Sequence, residues 1–337
     1  MAQLEVKDLR VAFPTAAGAV QAVRGVSFTL QPGRTLALVG ESGSGKSVTG
    51  RAIMGLNPGN TQTSGQVLLD GQELLTLSQL ELCPIRGRRI AMVFQDPMSS
   101  LNPIMRIGKQ ITEVMDLPRK QAKEKALELL REVGIRDPEA CFRQYPFQLS
   151  GGMRQRIVIA IALAADPEIL ICDEPTTALD VTIQGQILSL LNRLKAQRGL
   201  SMLFVTHDFG VVANVADDIA VMYAGNIVEY GTAEEVFYDP RHPYTWALLS
   251  AMPDLSSSGR LYAIPGTPPN MTSPPPGDAF AMRNPQALEI DFQQEPPPFF
   301  VSDTHWAATW LLDPRAPKAQ MPAVLRQRLE GGGKVGQ

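Results

Sequence analysis

The chain has 337 residues and a formal net charge of −3 at pH 7, from 31 Lys and Arg against 34 Asp and Glu. This balance argues against a nucleic-acid surface or a polybasic membrane anchor, while the length allows an α/β core with appended modules. The longest apolar run, Ile157 to Ala165, has nine residues, and a bilayer-spanning helix needs about 20.

The N-terminal residues predict a β-rich beginning. Leu4–Val6 and Leu9–Phe13 alternate apolar and polar side chains as short strands do, and Pro32-Gly33 predicts a turn. The first residues lack the basic-then-apolar plan of a secretion signal. Three scattered cysteines, Cys83, Cys141 and Cys172, offer neither a disulfide framework nor metal-ligand spacing. We therefore expect a reduced, cytoplasmic protein.

The next segment carries a complete G-x-x-x-x-G-K-[ST] phosphate loop. It follows the apolar run Thr35–Val39 and consists of Gly40, Glu41, Ser42, Gly43, Ser44, Gly45, Lys46 and Ser47. Glycines let such a backbone fold around an anion with its N–H groups pointing inward. Between a strand and a helix, this motif predicts that Lys46 reaches the β- and γ-phosphates and that the Ser47 hydroxyl binds Mg²⁺.

Further apolar runs alternate with helical patterns downstream. Strands are predicted at Gln66–Leu69, Arg89–Phe94, Glu168–Cys172 and Ser201–Val205, with a hairpin in Ile219–Val228 that turns at Gly225-Asn226. Several of these runs end in polar residues, and ligands bind at the carboxyl ends of parallel strands. The pattern therefore predicts a single phosphate site. Prolines become dense after Asp239, which marks residues 240–337 as an extension.

Two carboxylates close the run Glu168–Cys172. Asp173 is placed to support Mg²⁺ through a bound water, and Glu174 to polarise an attacking water. An acidic strand end before Pro175 is common in itself. The phosphate loop upstream favours the catalytic interpretation.

A second glycine motif opens a later apolar helix. Ser150, Gly151 and Gly152 offer hydroxyl and backbone donors to an anion at that helix N-terminus. A local N-cap is the simpler interpretation. Two such motifs far apart in one chain need a further explanation. We favour a second motif that closes over a nucleotide held by another copy or by a partner.

These elements together resemble the nucleotide-binding subunit of ATP-binding cassette (ABC) transporters. The match spans about residues 4–235 and rests on the ordered set Gly40–Ser47, Gln95, Leu149–Met153, Ile169–Glu174, Ala178–Asp180 and His207. The resemblance implies specific roles for single residues. Gln95 contacts Mg²⁺ and senses the membrane subunit, Asp180 communicates across a dimer at the nucleotide, His207 contacts the γ-phosphate, and Phe13, with Val20 nearby, stacks on adenine.

Three further stretches resemble the dipeptide, oligopeptide and nickel importer branch of that family. They are Phe94–Pro103, Arg241–Leu249 and the proline-rich tail from Ile264, within which Arg283–Pro285 and Ala308–Asp313 resemble Gram-positive oligopeptide importers. Many relatives carry four tail cysteines that can ligate an iron–sulfur cluster. The aligned positions here are Asp278, Asn284, Asp291 and Thr309, so no cluster is expected. His305 is expected at the surface.

The resemblance implies an α/β fold with a P-loop NTPase (RecA-like) core, an antiparallel β subdomain and an inserted helical subdomain near residues 96–160. We place the nucleotide-binding domain at 1–239 and the proline-rich C-terminal extension at 240–337. It further implies an ATPase that uses ATP and Mg²⁺ at the cytoplasmic face of the membrane. Its partners would be a second, related but non-identical ATP-binding subunit, two transmembrane permease subunits and an extracytoplasmic substrate-binding protein, with no nucleic acid.

Other functions are open at this stage. Nickel or another small solute is an alternative cargo, because the extracytoplasmic receptor and the membrane channel choose what is carried. A soluble cassette ATPase of translation or DNA repair is disfavoured by the single cassette and the lack of sustained heptads. A phosphate-loop kinase would leave Leu149–Met153 and His207 unexplained.

Overall fold

The computed structural model describes residues 2–177, 179–252 and 264–330, which form a mixed α/β fold. The strands are β1 (Leu4–Thr15), β2 (Gly18–Leu30), β3 (Thr35–Val39), β4 (Gln62–Leu69), β5 (Gln72–Glu73), β6 (Ile90–Val93), β7 (Ile169–Asp173), β8 (Ser201–Thr206), β9 (Asp218–Tyr223), β10 (Asn226–Thr232), β11 (Phe299–Phe300) and β12 (Trp306–Ala307).

The α-helices are α1 (Lys46–Ile53), α2 (Gln79–Leu82), α3 (Pro97–Ser100), α4 (Ile107–Thr112), α5 (Arg119–Glu132), α6 (Pro138–Arg143), α7 (Gly151–Leu163), α8 (Val181–Arg198), α9 (Phe209–Val212), α10 (Ala233–Tyr238), α11 (Pro243–Ala251) and α12 (Ala323–Glu330). Short 3₁₀ turns occur at Pro146–Gln148, Ala281–Arg283, Glu289–Phe292 and Trp310–Leu312. Within the described ranges, no helix combines the length and apolar character needed to cross a bilayer.

The described residues divide into two compact units. The first combines the residues up to Leu4 with Leu30–Thr35 and Leu69–Val205. The second combines Glu5–Thr29 and Leu36–Leu68 with the residues from Thr206 onward.

In the first unit, three buried parallel strands end at the same edge of the sheet. Strand β6 pairs with β7, and β7 pairs with β8, so that Ile90 lies opposite Ile169 and Ile169 opposite Ser201. Continuous apolar runs of this kind are typical of parallel strands buried on both faces. The shared direction brings the residues that follow β6 and β7 to the same edge of the sheet.

The chain between β6 and β7 folds as a cluster of helices in the first unit. Helix α5 packs against α4, α6 and α7, and α7 also packs against β6 and the start of α8. The apolar face of α5 is formed by Ala122, Ala126, Leu129 and Leu130, all of them buried. The spacing of these side chains at three- and four-residue intervals is what places them on one face.

In the second unit, strand β3 carries the phosphate loop. It runs parallel to β9, which forms an antiparallel hairpin with β10. The predicted hairpin is confirmed, but its turn falls at Ala224-Gly225 because Tyr223 pairs with Asn226. Ala224 and Gly225 have φ values of 44° and 83°. Positive φ at both turn residues is the geometry that matches the right-handed twist of a hairpin.

The N-terminal strands of the second unit lie in the order β2, β1, β4. The two short strands predicted at Leu4–Val6 and Leu9–Phe13 are wrong as separate elements, because both belong to the 12-residue strand β1. Asp8, which lies between the two predicted strands, has a φ of 45°. Its backbone N–H donates to Ser27 Oγ at 2.8 Å, which keeps the backbone bonded across the irregularity.

Residues of the C-terminal extension complete the sheet of the second unit. Strand β12 pairs antiparallel with β10, and β11 pairs with β12. The expectation that His305 lies at the surface is wrong, because its side chain is buried and its Nε2 lies 2.8 Å from Glu229 Oε1. Glu229 also accepts the backbone N–H groups of Arg241 at 2.6 Å and His242 at 3.0 Å. A buried carboxylate with several such partners ties the extension to β10.

The four positions that align with tail cysteines of relatives are all buried. In each, a side-chain oxygen accepts a nearby backbone N–H. Asp278 accepts that of Phe280, Asn284 that of Gln286, Asp291 that of Leu288, and Thr309 that of Leu311. These side chains therefore stabilise turns. Across the described ranges, no group of three or more His, Cys, Asp or Glu is arranged to hold a metal ion.

The buried Asp278 predicts a pH-dependent stability. Burial raises the pKa of its carboxyl to about 7, and the nearby Asp291 adds to that rise. An unfolded Asp titrates near pH 3.9. The folded chain therefore keeps a proton that the unfolded chain has released, and stability falls as pH rises between about 4 and 7.

We expect Asp278→Asn to remove this fall, so that the variant gains about 3 kcal/mol over the wild type between pH 4 and pH 7. Urea unfolding of both proteins across this range measures the difference. Asp303→Asn, at an exposed position of the same extension, is the control. Parallel pH profiles for wild type and Asp278→Asn would contradict the prediction.

Candidate active site

The phosphate loop joins the buried strand β3 to helix α1, as the motif predicts. Its backbone requires glycine at two positions. Gly40 and Gly45 have φ values of 152° and 102°. A Cβ on Gly40 would lie 2.0 Å from the Met222 carbonyl oxygen, and one on Gly45 would lie 2.3 Å from that of Ala22. Neither backbone atom can yield to a side chain, so other residues would distort the loop.

Lys46 lies at the centre of this loop. Its side chain is buried, with the residue 4% exposed. Its Nζ donates to the carbonyl oxygens of Gly40 and Glu41, both at 2.8 Å, and to Ser44 Oγ at 3.3 Å. A buried ammonium in a glycine-rich loop favours binding of an anion, because the anion forms charge-assisted hydrogen bonds with the ammonium and with the backbone N–H groups.

The remaining loop residues have the accessibility that a phosphate site needs. Ser42 and Gly43 are exposed, and Ser47 is half-buried in the first turn of α1. The Ser44 carbonyl accepts the N–H of Gly225 at 3.0 Å, which fixes the loop against the β9–β10 hairpin. The glycine cradle, the buried ammonium and the hydroxyl of Ser47 fit a triphosphate with its Mg²⁺.

Two residues of the C-terminal extension contact the loop, and sequence reasoning missed both. The Arg283 guanidinium forms a bidentate pair with the Glu41 carboxylate, at 2.6 and 2.9 Å. The Tyr244 hydroxyl accepts the backbone N–H of Glu41 at 2.8 Å. Both residues lie in stretches noted for their resemblance to peptide importers, but no local pattern signals contact with a loop about 200 residues earlier.

In the first unit, the two predicted carboxylates follow one another at the end of β7. Asp173 is fully buried as the last residue of that strand, and Glu174 is 8% exposed. Glu174 adopts a φ of 46°, a left-handed conformation that is costly for a residue with a Cβ. Strain of this kind is maintained where a side chain must point in one direction.

The Glu174 carboxylate is held by two side-chain donors. Gln95 Nε2 donates to its Oε2 at 3.0 Å, and Thr177 Oγ1 donates to the same oxygen at 2.9 Å. Gln95 follows β6 and is itself exposed. The structure thus brings together two residues that were singled out separately in the sequence, and it adds Thr177, which was not.

The second glycine motif begins helix α7 of the first unit. Ser150 is its N-cap, with Oγ accepting the N–H of Met153 at 3.3 Å. Gly151 lies near Leu179, and a Cβ on Gly152 would lie only 2.9 Å from Ile183 Cγ2. Asp180 caps α8 by accepting the N–H of Ile183 at 2.9 Å. The start of α7 therefore lies beside the start of α8, while Ala178 falls outside the described residues.

The other predicted nucleotide contacts belong to the second unit. His207 directly follows β8 and is exposed. The next residue, Asp208, caps α9 and accepts the N–H of Gly210 at 2.8 Å. Phe13 and Val20 lie in β1 and β2, and both are half-buried. These side chains are accessible to a ligand.

Comparisons with known proteins place the chain in a family. Residues 23–177 match the ABC transporter family model, and residues 228–290 match the model described as oligopeptide/dipeptide transporter, C-terminal region. The chain is 58% identical over 334 residues to the oligopeptide transport ATP-binding protein OppD of Bacillus subtilis, covering 97% of this chain and 93% of that protein. It is 60% identical to the dipeptide transport ATP-binding protein DppD of Lactococcus lactis, covering 94% and 92%.

A solved structure gives the same result for the fold. A dimeric ATP-binding cassette in a post-hydrolysis state, bound to ADP and Pi, matches with a TM-score of 0.62 and 27% identity, over 68% of this chain and 98% of that one. The P-loop core and the ATPase class expected from the motifs are thereby confirmed. The chain belongs to the ABC transporter family, in the branch of oligopeptide and dipeptide transport ATP-binding proteins.

Proposed function

We propose that this ATPase binds MgATP and uses its hydrolysis to import oligopeptides or dipeptides through membrane permease subunits. The observation that carries the catalytic part is Glu174, a buried residue with left-handed backbone whose carboxylate accepts hydrogen bonds from Gln95 and Thr177. The match of residues 228–290 to the peptide-transporter C-terminal model supports the cargo class.

In this proposal, the phosphate loop binds the triphosphate of ATP. Backbone N–H groups of Gly40–Ser47 and the Lys46 ammonium neutralise the phosphates. Ser47, Asp173 and Gln95 would hold Mg²⁺, Asp173 through a bound water. When bound, Mg²⁺ would neutralise charge on the phosphate oxygens. Phe13 stacks on adenine.

Glu174 orders and polarises the attacking water. Gln95 and Thr177 both donate to Oε2, which restrains the carboxylate. A carboxylate in a fixed orientation activates water without reorganising during the reaction. His207 contacts the γ-phosphate from its exposed position after β8. Since Gln95 touches Glu174 directly, a change at Gln95 would reach the catalytic carboxylate through one hydrogen bond.

Two such subunits enclose the nucleotide. Ser150, Gly151 and Gly152 of one subunit cap the triphosphate held by the phosphate loop of the other, and Asp180 communicates across that interface. The exposed serine and the N-terminus of the 13-residue helix α7 support this role, because a helix N-terminus favours an anion. The partner is a related, non-identical ATP-binding subunit.

Closure and opening of this pair would drive two permease subunits at the cytoplasmic face of the membrane. The segment Phe94–Pro103 begins at the loop that holds Gln95, and Phe94 and Met98 are exposed apolar side chains on it. Burying these apolar side chains against a permease subunit would be favourable. An extracytoplasmic substrate-binding protein would deliver the peptide.

Glu174→Gln tests this proposal directly. We expect the variant, assembled with its transporter partners, to bind ATP normally and to hydrolyse it at least about 100-fold more slowly, because the amide cannot polarise water. ATP binding, phosphate release and uptake of a labelled tripeptide in proteoliposomes are the measurements. Glu128→Gln, at an exposed position of α5, is the matched control.

The outcomes separate the parts of the proposal. Near-normal hydrolysis by Glu174→Gln would remove Glu174 from its role. Wild-type transporter that hydrolyses ATP but carries labelled nickel rather than peptide would leave the catalytic assignment standing and overturn the cargo.

The pairing of two subunits generates a separate prediction for Gly151. A carboxylate at the first position of a helix favours the helix, yet it repels a triphosphate. The Cβ of a residue at this position would meet Leu179 at an ordinary 3.8 Å. Gly151→Asp should therefore fold normally and lose ATP-driven association with its partner subunit.

Light scattering of the two subunits with ATP, in a hydrolysis-deficient background, measures this association. We expect Gly151→Ala to associate as the parent does and Gly151→Asp to remain apart, with unchanged thermal stability in both. Full ATP-driven association of Gly151→Asp would refute the proposed cap.

A further inference from the structure

Glu41, the second residue of the phosphate loop, is held at all three of its polar groups. Its carboxylate accepts both terminal nitrogens of Arg283, at 2.6 and 2.9 Å. Its backbone N–H donates to the Tyr244 hydroxyl at 2.8 Å, and its carbonyl oxygen accepts the Lys46 ammonium at 2.8 Å. Two of these three partners come from the C-terminal extension.

Arg283 is itself held in a fixed position. Its side chain is 4% exposed. Besides Glu41, it donates through Nε to the carbonyl of Pro265 at 2.8 Å and through Nη1 to the Tyr223 hydroxyl at 3.1 Å. The guanidinium carbon also lies 5.7 Å from the Tyr223 ring centroid and 5.8 Å from that of Phe280. Its hydrogen bonds to Glu41 raise the pKa of Arg283, so the group stays charged.

Tyr244 is equally fixed. It lies in α11, is fully buried, and packs with Tyr223 and Phe280 at centroid distances of 4.5 and 5.3 Å. The two rings of Tyr223 and Phe280 thus support both side chains that reach the loop. Aromatic side chains have few rotatable bonds, so they hold a polar tip in place at low entropic cost.

The position of Glu41 determines where the Lys46 ammonium lies. Nζ bonds to the adjacent carbonyls of Gly40 and Glu41, so a shift of this peptide moves both acceptors together. The loop has glycines on each side of Glu41–Ser42, which leave it free to adopt other shapes unless something outside it holds it. A bidentate Arg–carboxylate pair supplies directional restraint as well as charge.

We propose that Arg283 and Tyr244 are positioning residues that hold the phosphate loop in its ATP-binding shape, which makes the C-terminal extension part of the nucleotide site. The inference rests on the proposed binding of ATP to this loop. If the restraint is lost, the loop populates its binding shape for a smaller fraction of the time, and the apparent Kd rises by the inverse of that fraction.

The expected signature is a change in ATP affinity with little change in turnover. We expect Arg283→Gln to raise the Kd and KM for MgATP about tenfold, with kcat at saturating ATP within about twofold of wild type. Arg283→Lys keeps the charge but not the fork and should give an intermediate Kd. Tyr244→Phe keeps the ring packing, loses the acceptor for the Glu41 N–H, and should also weaken binding.

A double-mutant cycle identifies the bridge as the cause. Glu41→Gln and Arg283→Gln should each weaken ATP binding, and the double variant should be no weaker than either single one, because both remove the same interaction. Arg315→Gln is the matched control: Arg315 lies in the same extension and pairs with Asp313, but it is exposed. Fluorescence titration of the full chain with a labelled ATP analogue, alongside thermal melting, gives both readouts.

Each outcome decides the matter. Weaker ATP binding in folded Arg283→Gln, Arg283→Lys and Tyr244→Phe, with normal binding by Arg315→Gln, supports the positioning role. Lower melting temperatures with unchanged ATP affinity would overturn it and leave Arg283 a purely structural residue, as would strictly additive effects in the cycle. Failure of the wild type itself to bind ATP would instead contradict the proposed function.

Discussion

A buried ammonium inside a loop of its own backbone is the interaction on which the account depends. Lys46 reaches the carbonyls of Gly40 and Glu41 only because the loop curves tightly between β3 and α1. That curvature requires left-handed backbone at Gly40 and Gly45, where any Cβ would strike a backbone carbonyl. Strand β3, the β9–β10 hairpin and helix α1 support the loop, and Arg283 and Tyr244 also contact it at Glu41.

In the first unit too, a backbone conformation that is unfavourable by itself is held by the residues around it. Glu174 has a left-handed backbone directly after a fully buried strand, and its N–H donates to the Val205 carbonyl at 2.9 Å. Gln95 and Thr177 then orient its carboxylate. Pairing of β6 with β7 is what brings Gln95 to it, so sheet register sets the geometry of this hydrogen bond.

Much of the fold and several features of the site could be predicted from the sequence, because the patterns that indicate them are local. The phosphate loop, the buried strand before it, the apolar runs of β6, β7 and β8, and the serine that caps α7 each depend on neighbouring residues only. The family resemblance then supplied the order of these elements, and comparisons with known proteins confirmed the fold, the ATPase class and the peptide-transporter branch. The individual roles of the site residues stay predictions.

What the sequence did not reveal depends on long-range contacts. His305, a single histidine of the tail, was expected at the surface, yet it pairs with Glu229 of β10 in a buried site. Arg283 and Tyr244 meet Glu41 only in the folded second unit, although they lie about 200 residues from it in the chain. The break seen between Leu4–Val6 and Leu9–Phe13 disappears because Ser27, on another strand, accepts the N–H of Asp8. Composition and periodicity carry no information on such partners.

We propose that the Lys46 ammonium forms the anion site of the loop. Titration of the full chain with MgATP, comparing wild type with Lys46→Met, tests it most directly. Methionine fills a similar volume without a charge, so the fold should be preserved. We expect Lys46→Met to melt normally and its ATP affinity to be reduced at least about 100-fold. Wild-type affinity in a folded Lys46→Met protein would contradict it.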